Sequence, residues 1–144
     1  MIGFAVLLAL HLIGAVAWVG GMAFALMVLR PALAVIEPGP RLALHREVFR
    51  RFFRMVWHVM PVVLLSGYAM LFGYLGGFAH AGWPVHVMHL FGLVMAGVFL
   101  AIYFGPWRAM RAAPAVEAVG RIRRLVLVNL LLGTATLIVA AFAA

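Results

Sequence analysis

The chain contains no cysteine, no lysine and no aspartate, and its only acidic residues are Glu37, Glu47 and Glu117. Without cysteine, the protein can form neither disulfide bonds nor thiolate metal sites. The three glutamates all lie in short arginine-rich segments, away from the long apolar stretches. Hydrolysis by paired carboxylates and a carboxylate proton path through an apolar bundle are therefore excluded.

Apolar residues dominate what is present: 68% of the 144 residues are hydrophobic and 10% are charged. A soluble domain of this size cannot hide so much apolar surface, so a lipid bilayer must cover it. The formal charge of +8 comes from arginines clustered in two segments. This distribution favours a membrane protein and not a nucleic-acid binder.

Long uncharged stretches predict the membrane helices. Residues 2–29, 55–107 and 125–144 carry no charged side chain, and glycines and a proline interrupt the middle stretch at GYLGGFAHAGWPV, residues 73–85. A helix needs ~20 residues to cross the ~30 Å hydrocarbon layer. We therefore predict an all-α integral membrane four-helix bundle that forms a single domain over residues 1–144. Its predicted helices cover about 2–29, 55–77, 84–107 and 125–143.

The arginines predict the topology. They fall in two predicted inner loops, residues 30–54 and 108–124, whereas the bend at 78–83 and both chain ends carry no charged side chain. Arginine-rich loops stay on the cytoplasmic side of a membrane. Both termini should therefore face the outer, periplasmic side. Asn129, in the fourth helix, is a candidate donor of an interhelical hydrogen bond.

Two histidines are matched in predicted depth. His11 lies nineteen residues before Arg30, and His89 lies nineteen residues before Arg108, in helices that run in the same direction. At ~1.5 Å per residue, both imidazoles are predicted ~28 Å from the inner interface. His86 is one turn further out. Polar groups within hydrocarbon are costly and tend to be functional.

A glycine follows each matched histidine after three residues, as Gly14 in HLIG and Gly92 in HLFG. A glycine below each imidazole leaves room for a flat cofactor between helices. It equally serves the close packing that small residues allow in any membrane bundle. His58, near Arg54, marks a second candidate site on the inner side.

Imidazoles without carboxylates or thiols suit haem iron or copper. In the preferred interpretation, His11 and His89 are the axial ligands of a b-type haem, with His86 as the substitute, and the haem exchanges electrons with a quinone or a periplasmic partner. The alternative is a copper uptake protein whose His11, His86 and His89 bind Cu(I). A third interpretation is a cofactor-free membrane scaffold. A homo-oligomer is compatible with all three.

Several segments resemble a known family. The first helix, LLALHLIGAVAWVGGMAFALMVLRPAL at residues 7–33, is similar to the first helix of the copper-resistance D (CopD) domain, and its His, Trp and Gly pattern to HemJ-type protoporphyrinogen oxidases. RFFRMVW, SGYAM, HVMHLFGLVMAGVFLAIYFGPWRAMR and RIRRLVLVNLLLG resemble the remaining helices of a compact four-helix CopD form.

The resemblance implies a multi-pass protein of the bacterial inner membrane that is connected with copper or haem. In HemJ-type proteins, the histidine of the first helix is associated with haem b, and this role would carry over to His11. Those proteins also use a lysine in the third helix, which this chain lacks. The resemblance therefore implies a haem-dependent membrane oxidoreductase without carrying over protoporphyrinogen oxidase activity.

Overall fold

Four long helices make up the protein, and a computed structural model describes them over residues 2–143. They are α1 (Ile2–Val35), α2 (Pro38–Gly73), α3 (Trp83–Ala112) and α4 (Val116–Ala140). Each is long enough and apolar enough to cross a membrane. The predicted all-α architecture is confirmed, with four helices long and apolar enough to span a membrane.

The helices extend well beyond the predicted spans at their arginine-rich ends. Most of the predicted inner loop 30–54 is helical, because α1 continues to Val35 and α2 already begins at Pro38. Within the predicted loop 108–124, only residues 113–115 are not helical. Arginine is a good helix former and proline is tolerated in a first turn, so the helices continue through these segments. Charge marks where the apolar stretch ends, and the helix continues past it.

Successive helices run antiparallel, so the α2–α3 connection lies at one end of the bundle and the α1–α2 and α3–α4 connections lie at the other. At one end, Phe4 packs on Tyr74 with ring centroids 5.4 Å apart, and Trp83 packs on Phe142 at 6.0 Å. We call this the uncharged end. At the other, the basic end, the Arg46 guanidinium donates a hydrogen bond to the Arg111 carbonyl over 3.1 Å.

α3 bends near the basic end, where a proline follows a glycine. Residues Tyr103–Trp107 form a π-helical turn, and Gly105 within it has φ −95° and ψ −107°. Pro106 has no N–H and its ring displaces the preceding turn, which accounts for the kink. Beyond the kink, Trp107 is buried against Phe53, with ring centroids 5.3 Å apart.

The bundle is apolar on its outside as well as in its core. Ile13 and Leu65 are each 68% exposed and Leu131 is 62% exposed, on three different helices. An exposed apolar surface of this extent fits a lipid environment. Inside, the buried Asn129 donates from Nδ2 to the Met95 carbonyl on α3 over 3.2 Å. The predicted interhelical hydrogen bond of Asn129 is confirmed.

The approach of α1 to α2 depends on Gly14. A Cβ atom added to Gly14 would lie 2.5 Å from Cγ2 of Val63, whereas one added to Gly20 on the same helix would meet nothing within 4 Å. Two backbones come close here because one residue has no side chain.

We therefore expect Gly14→Ala to destabilise the bundle by ~1–3 kcal/mol, the usual effect of overpacking. Gly20→Ala is the matched control and should be neutral or stabilising by up to ~1 kcal/mol, because alanine has the higher helix propensity. Thermal unfolding of the two variants in mild detergent measures the difference. Equal unfolding temperatures would show that the α1–α2 contact is not close.

Candidate functional site

His11 faces α2 and is held by a backbone carbonyl. Its Nδ1 lies 2.9 Å from the Val63 carbonyl oxygen and 3.2 Å from the Ser66 hydroxyl. The Ser66 hydroxyl itself donates to the Val62 carbonyl over 2.6 Å, so its oxygen can accept from the imidazole. Nδ1 therefore carries the proton, and the lone pair on Nε2 is left for another partner.

Gly67 makes room for the His11 ring. A Cβ atom at Gly67 would lie 3.2 Å from Cε1 of His11, closer than an ordinary contact. Ser66 and Gly67 together form the seat of the imidazole on α2. The sequence interpretation used both residues only in the family resemblance and missed this role. A serine followed by a glycine within an otherwise apolar span was the available signal.

His86 and His89 lie around one aromatic ring at the uncharged end. The Phe78 ring stacks on His86 at 5.8 Å between centroids and meets His89 edge to face at 4.9 Å. Tyr68 of α2 closes the other side of His89 at 5.4 Å. We call these four residues, with Phe72, the Phe78 cluster. Within residues 2–143, neither imidazole has a hydrogen-bond partner in the protein.

Two glycines shape the loop that presents Phe78. Gly76 and Gly77 have φ values of 74° and 79°, in the left-handed region that other residues rarely adopt. The amide of Gly77 donates to the Leu71 carbonyl over 2.9 Å and ends α2. The loop then returns to α3, which begins at Trp83.

The structure places His11 deeper in the bundle than His89, and the two histidines contact different positions on α2. His11 contacts α2 at Val63 and His89 contacts it at Tyr68, a difference of ~7.5 Å along the helix axis. At ~100° per residue, these two α2 positions point ~140° apart. The two imidazoles therefore contact α2 at positions that point in different directions, and the pairing of His11 with His89 as axial ligands stays a prediction.

The spacing between His11 and Arg30 in the sequence overestimates how far His11 lies from the inner end of the membrane span. Arg30 lies beside His45 and Arg123 at the basic end. His45 precedes Arg54 by nine residues along α2, so Arg30 lies further toward the basic end than Arg54 does. His11 is consequently deeper in the bundle than the sequence suggested, at a level ~9–15 Å from the end of α2 at Gly73. The error arises because α1 stays helical beyond the apolar stretch.

The two paired glycines do not define a common slot. Val63 fills the space in front of Gly14, and a Cβ at Gly92 would meet no atom within 4 Å. Gly14 thus serves helix packing, and Gly92 faces an open surface of α3. Within residues 2–143, there is also no group of three or more His, Cys, Asp or Glu side chains arranged around a metal position.

The remaining histidines are separate from both sites. His58, the second inner candidate, is exposed, and its Nδ1 lies 2.8 Å from the Arg54 carbonyl within the same helix. His80 makes the corresponding contact to Gly76 at 3.0 Å in the loop. His45 lies near the basic end and stacks on Phe49.

The geometry at His11 predicts its tautomer. Nitrogen-15 NMR of the protein labelled at histidine should show His11 protonated at Nδ1 and unprotonated at Nε2, because the Val63 carbonyl can only accept. Ser66→Ala should leave this tautomer in place, since Val63 alone suffices. A His11 imidazole protonated at Nε2 alone would contradict the arrangement.

Comparison with known proteins points to one family. A family model described as Copper resistance protein D matches residues 46–143, which include α3, α4 and most of α2. His86, His89 and Gly92 lie within the match, whereas His11 and Gly14 precede it. No match was found among curated proteins or among solved structures. The further resemblance to HemJ-type oxidases is not confirmed.

Proposed function

The chain belongs to the copper resistance protein D family, and on that premise we propose that it is a multi-pass membrane protein that binds Cu(I) through His86 and His89. The observation that carries this proposal is the pair of histidines on α3 within the family match. They are three residues apart and so share one face of the helix, with Cβ atoms ~5–6 Å apart. Imidazole is a common copper ligand.

The surroundings of the pair support copper over harder metals. The Phe78 cluster contributes aromatic rings and no carboxylate, and magnesium or calcium would require oxygen ligands. Neither His86 nor His89 donates a hydrogen bond within residues 2–143, so both keep a nitrogen lone pair for a metal. Phe78 and Tyr68 restrict water around His89, which favours the reduced ion.

The arginines support an orientation for the transfer. By the positive-inside rule, the basic end faces the cytoplasm and the uncharged end the periplasm of a bacterial inner membrane. His86 and His89 then lie near the periplasmic surface, where copper would enter from a periplasmic donor. His11 offers Nε2 on the other side of α2 as a second, deeper imidazole, since its Nδ1 is held by a carbonyl, as is usual for metal-bound histidine.

A b-type haem is the competing proposal, and the carbonyl-held ring of His11 is what favours it. Its Nε2 would be one axial ligand, and the second histidine would come from another copy of the chain, because His89 lies on a different side of α2. When bound, the haem would supply one-electron chemistry toward a quinone or a periplasmic partner. A cofactor-free scaffold is the remaining interpretation.

The double variant His86→Ala/His89→Ala tests the copper proposal. Competition with a Cu(I) chelator in mild detergent should show that the unmodified protein binds Cu(I) and that the variant binds it more than ~10-fold more weakly. Even residues that only hydrogen-bond to a metal ligand contribute that much to metal affinity. His58→Ala is the matched control, because His58 is also exposed and lies in the matched region. It should bind as the unmodified protein does.

Three results would contradict the proposal. Unchanged affinity in the double variant would remove His86 and His89 as ligands. Equal loss in His58→Ala would indicate nonspecific binding to imidazoles. A Soret band in the purified protein that disappears with His11→Ala would instead support the haem assignment.

A further inference from the structure

A cleft at the basic end brings basic side chains from three helices together. Arg30 of α1, His45 of α2 and Arg123 of α4 line it. Its remaining wall is apolar. This wall includes Leu26, Leu29, Val48, Phe49, Val119 and Val126. The cleft therefore combines a positive rim with an apolar groove between helices.

The positive charge of this rim is not neutralised by the protein. Within residues 2–143, the only ion pairs join Glu47 to Arg50 and Arg51, both at 2.6 Å. The side chains of Arg30 and Arg123 make no hydrogen bond to any described residue. Two guanidinium groups at one cleft repel each other unless an anion lies between them.

Arg41 stands next to the rim but is already engaged. Its Nη2 donates to the Ile36 carbonyl over 2.6 Å and to the Ala34 carbonyl over 3.2 Å, which fixes the turn between α1 and α2. Arg41 therefore contributes charge to the cleft and holds its shape, while Arg30 and Arg123 keep their donors available.

The pKa of His45 responds to this uncompensated charge. It lies nine residues below Arg54, outside the predicted hydrocarbon span of α2 that begins at residue 55. Burial lowers the pKa of the His45 imidazole, and the positive charges of Arg41, Arg123 and Arg30 lower it further. A bound anion would oppose the effects of these arginines and raise the pKa of His45.

We propose that this cleft binds an anionic phospholipid, with its phosphate between Arg30 and Arg123 and an acyl chain along the apolar wall. Basic pockets between membrane helices on the cytoplasmic side are suited to such headgroups. Arginine forms paired hydrogen bonds with phosphate oxygens. Leu26, Leu29 and Val48 of this wall are only partly buried, so an acyl chain would cover apolar surface that a free phosphate ion leaves exposed. The inference does not depend on copper binding.

Native mass spectrometry of the delipidated protein titrated with phosphatidylglycerol tests the proposal. Arg30→Gln/Arg123→Gln should weaken binding of the first lipid by roughly 30-fold, at ~5-fold for each arginine. Arg108→Gln/Arg124→Gln is the control matched in charge, because both residues are exposed and do not line the cleft. It should bind nearly as the unmodified protein does.

Titrations with other ligands distinguish binding of an anionic phospholipid from binding of any lipid or of a phosphate ion. Phosphatidylcholine should bind more weakly than phosphatidylglycerol, and equal binding would mean that only the apolar groove matters. Inorganic phosphate and glycerol 3-phosphate should not displace the lipid at equal concentration; displacement would identify a phosphate-ion site. Equal weakening in both double variants would reduce the effect to diffuse charge and overturn the proposal.

A second readout uses the unmodified protein and so does not depend on how the variants fold. NMR titration of the His45 imidazole should give a higher pKa with bound phosphatidylglycerol than with phosphatidylcholine. An unchanged pKa would place the lipid away from His45 and contradict the assignment.

Discussion

The partly buried imidazole of His11 is held by the backbone of α2, because its Nδ1 donates a hydrogen bond to the Val63 carbonyl. This hydrogen bond requires the two helices to be close, and Gly14 and Gly67 make that approach possible. It also fixes the rotation of α1, because the ring can reach Val63 from only one face of the helix. The positions of the other polar groups follow from this arrangement.

With His11 turned toward α2, the histidines of α3 are left to a separate environment. His86 and His89 gather around Phe78, where aromatic contacts take the place of hydrogen bonds. The protein thus holds two imidazole sites on different sides of one helix. Two separate sites suit a metal ion that moves from one site to the next better than they suit a single cofactor that is ligated from both sides. This is the main physical reason for preferring copper to haem.

The sequence was sufficient to predict four helices long and apolar enough to span a membrane, because long uncharged apolar stretches are typical of such helices. It also identified Asn129, since one amide in an apolar helix needs a partner on another helix. The helices extend past the predicted spans because arginines such as Arg30 continue a helix. The sequence could not test the pairing of His11 with His89, because depth says nothing about the rotation of each helix. The rotation of α1 against α2 depends on packing at Gly14, Val63 and Gly67. A hydrophobicity pattern does not predict which of these residues will be in contact.

X-ray absorption at the copper edge, on protein loaded with one equivalent of Cu(I) in mild detergent, tests the central claim most directly. The account predicts a first shell of imidazole nitrogens with the multiple scattering typical of histidine rings, and no sulfur. Sulfur in the first shell would place copper on methionine thioethers instead, and would contradict His86 and His89 as the copper site.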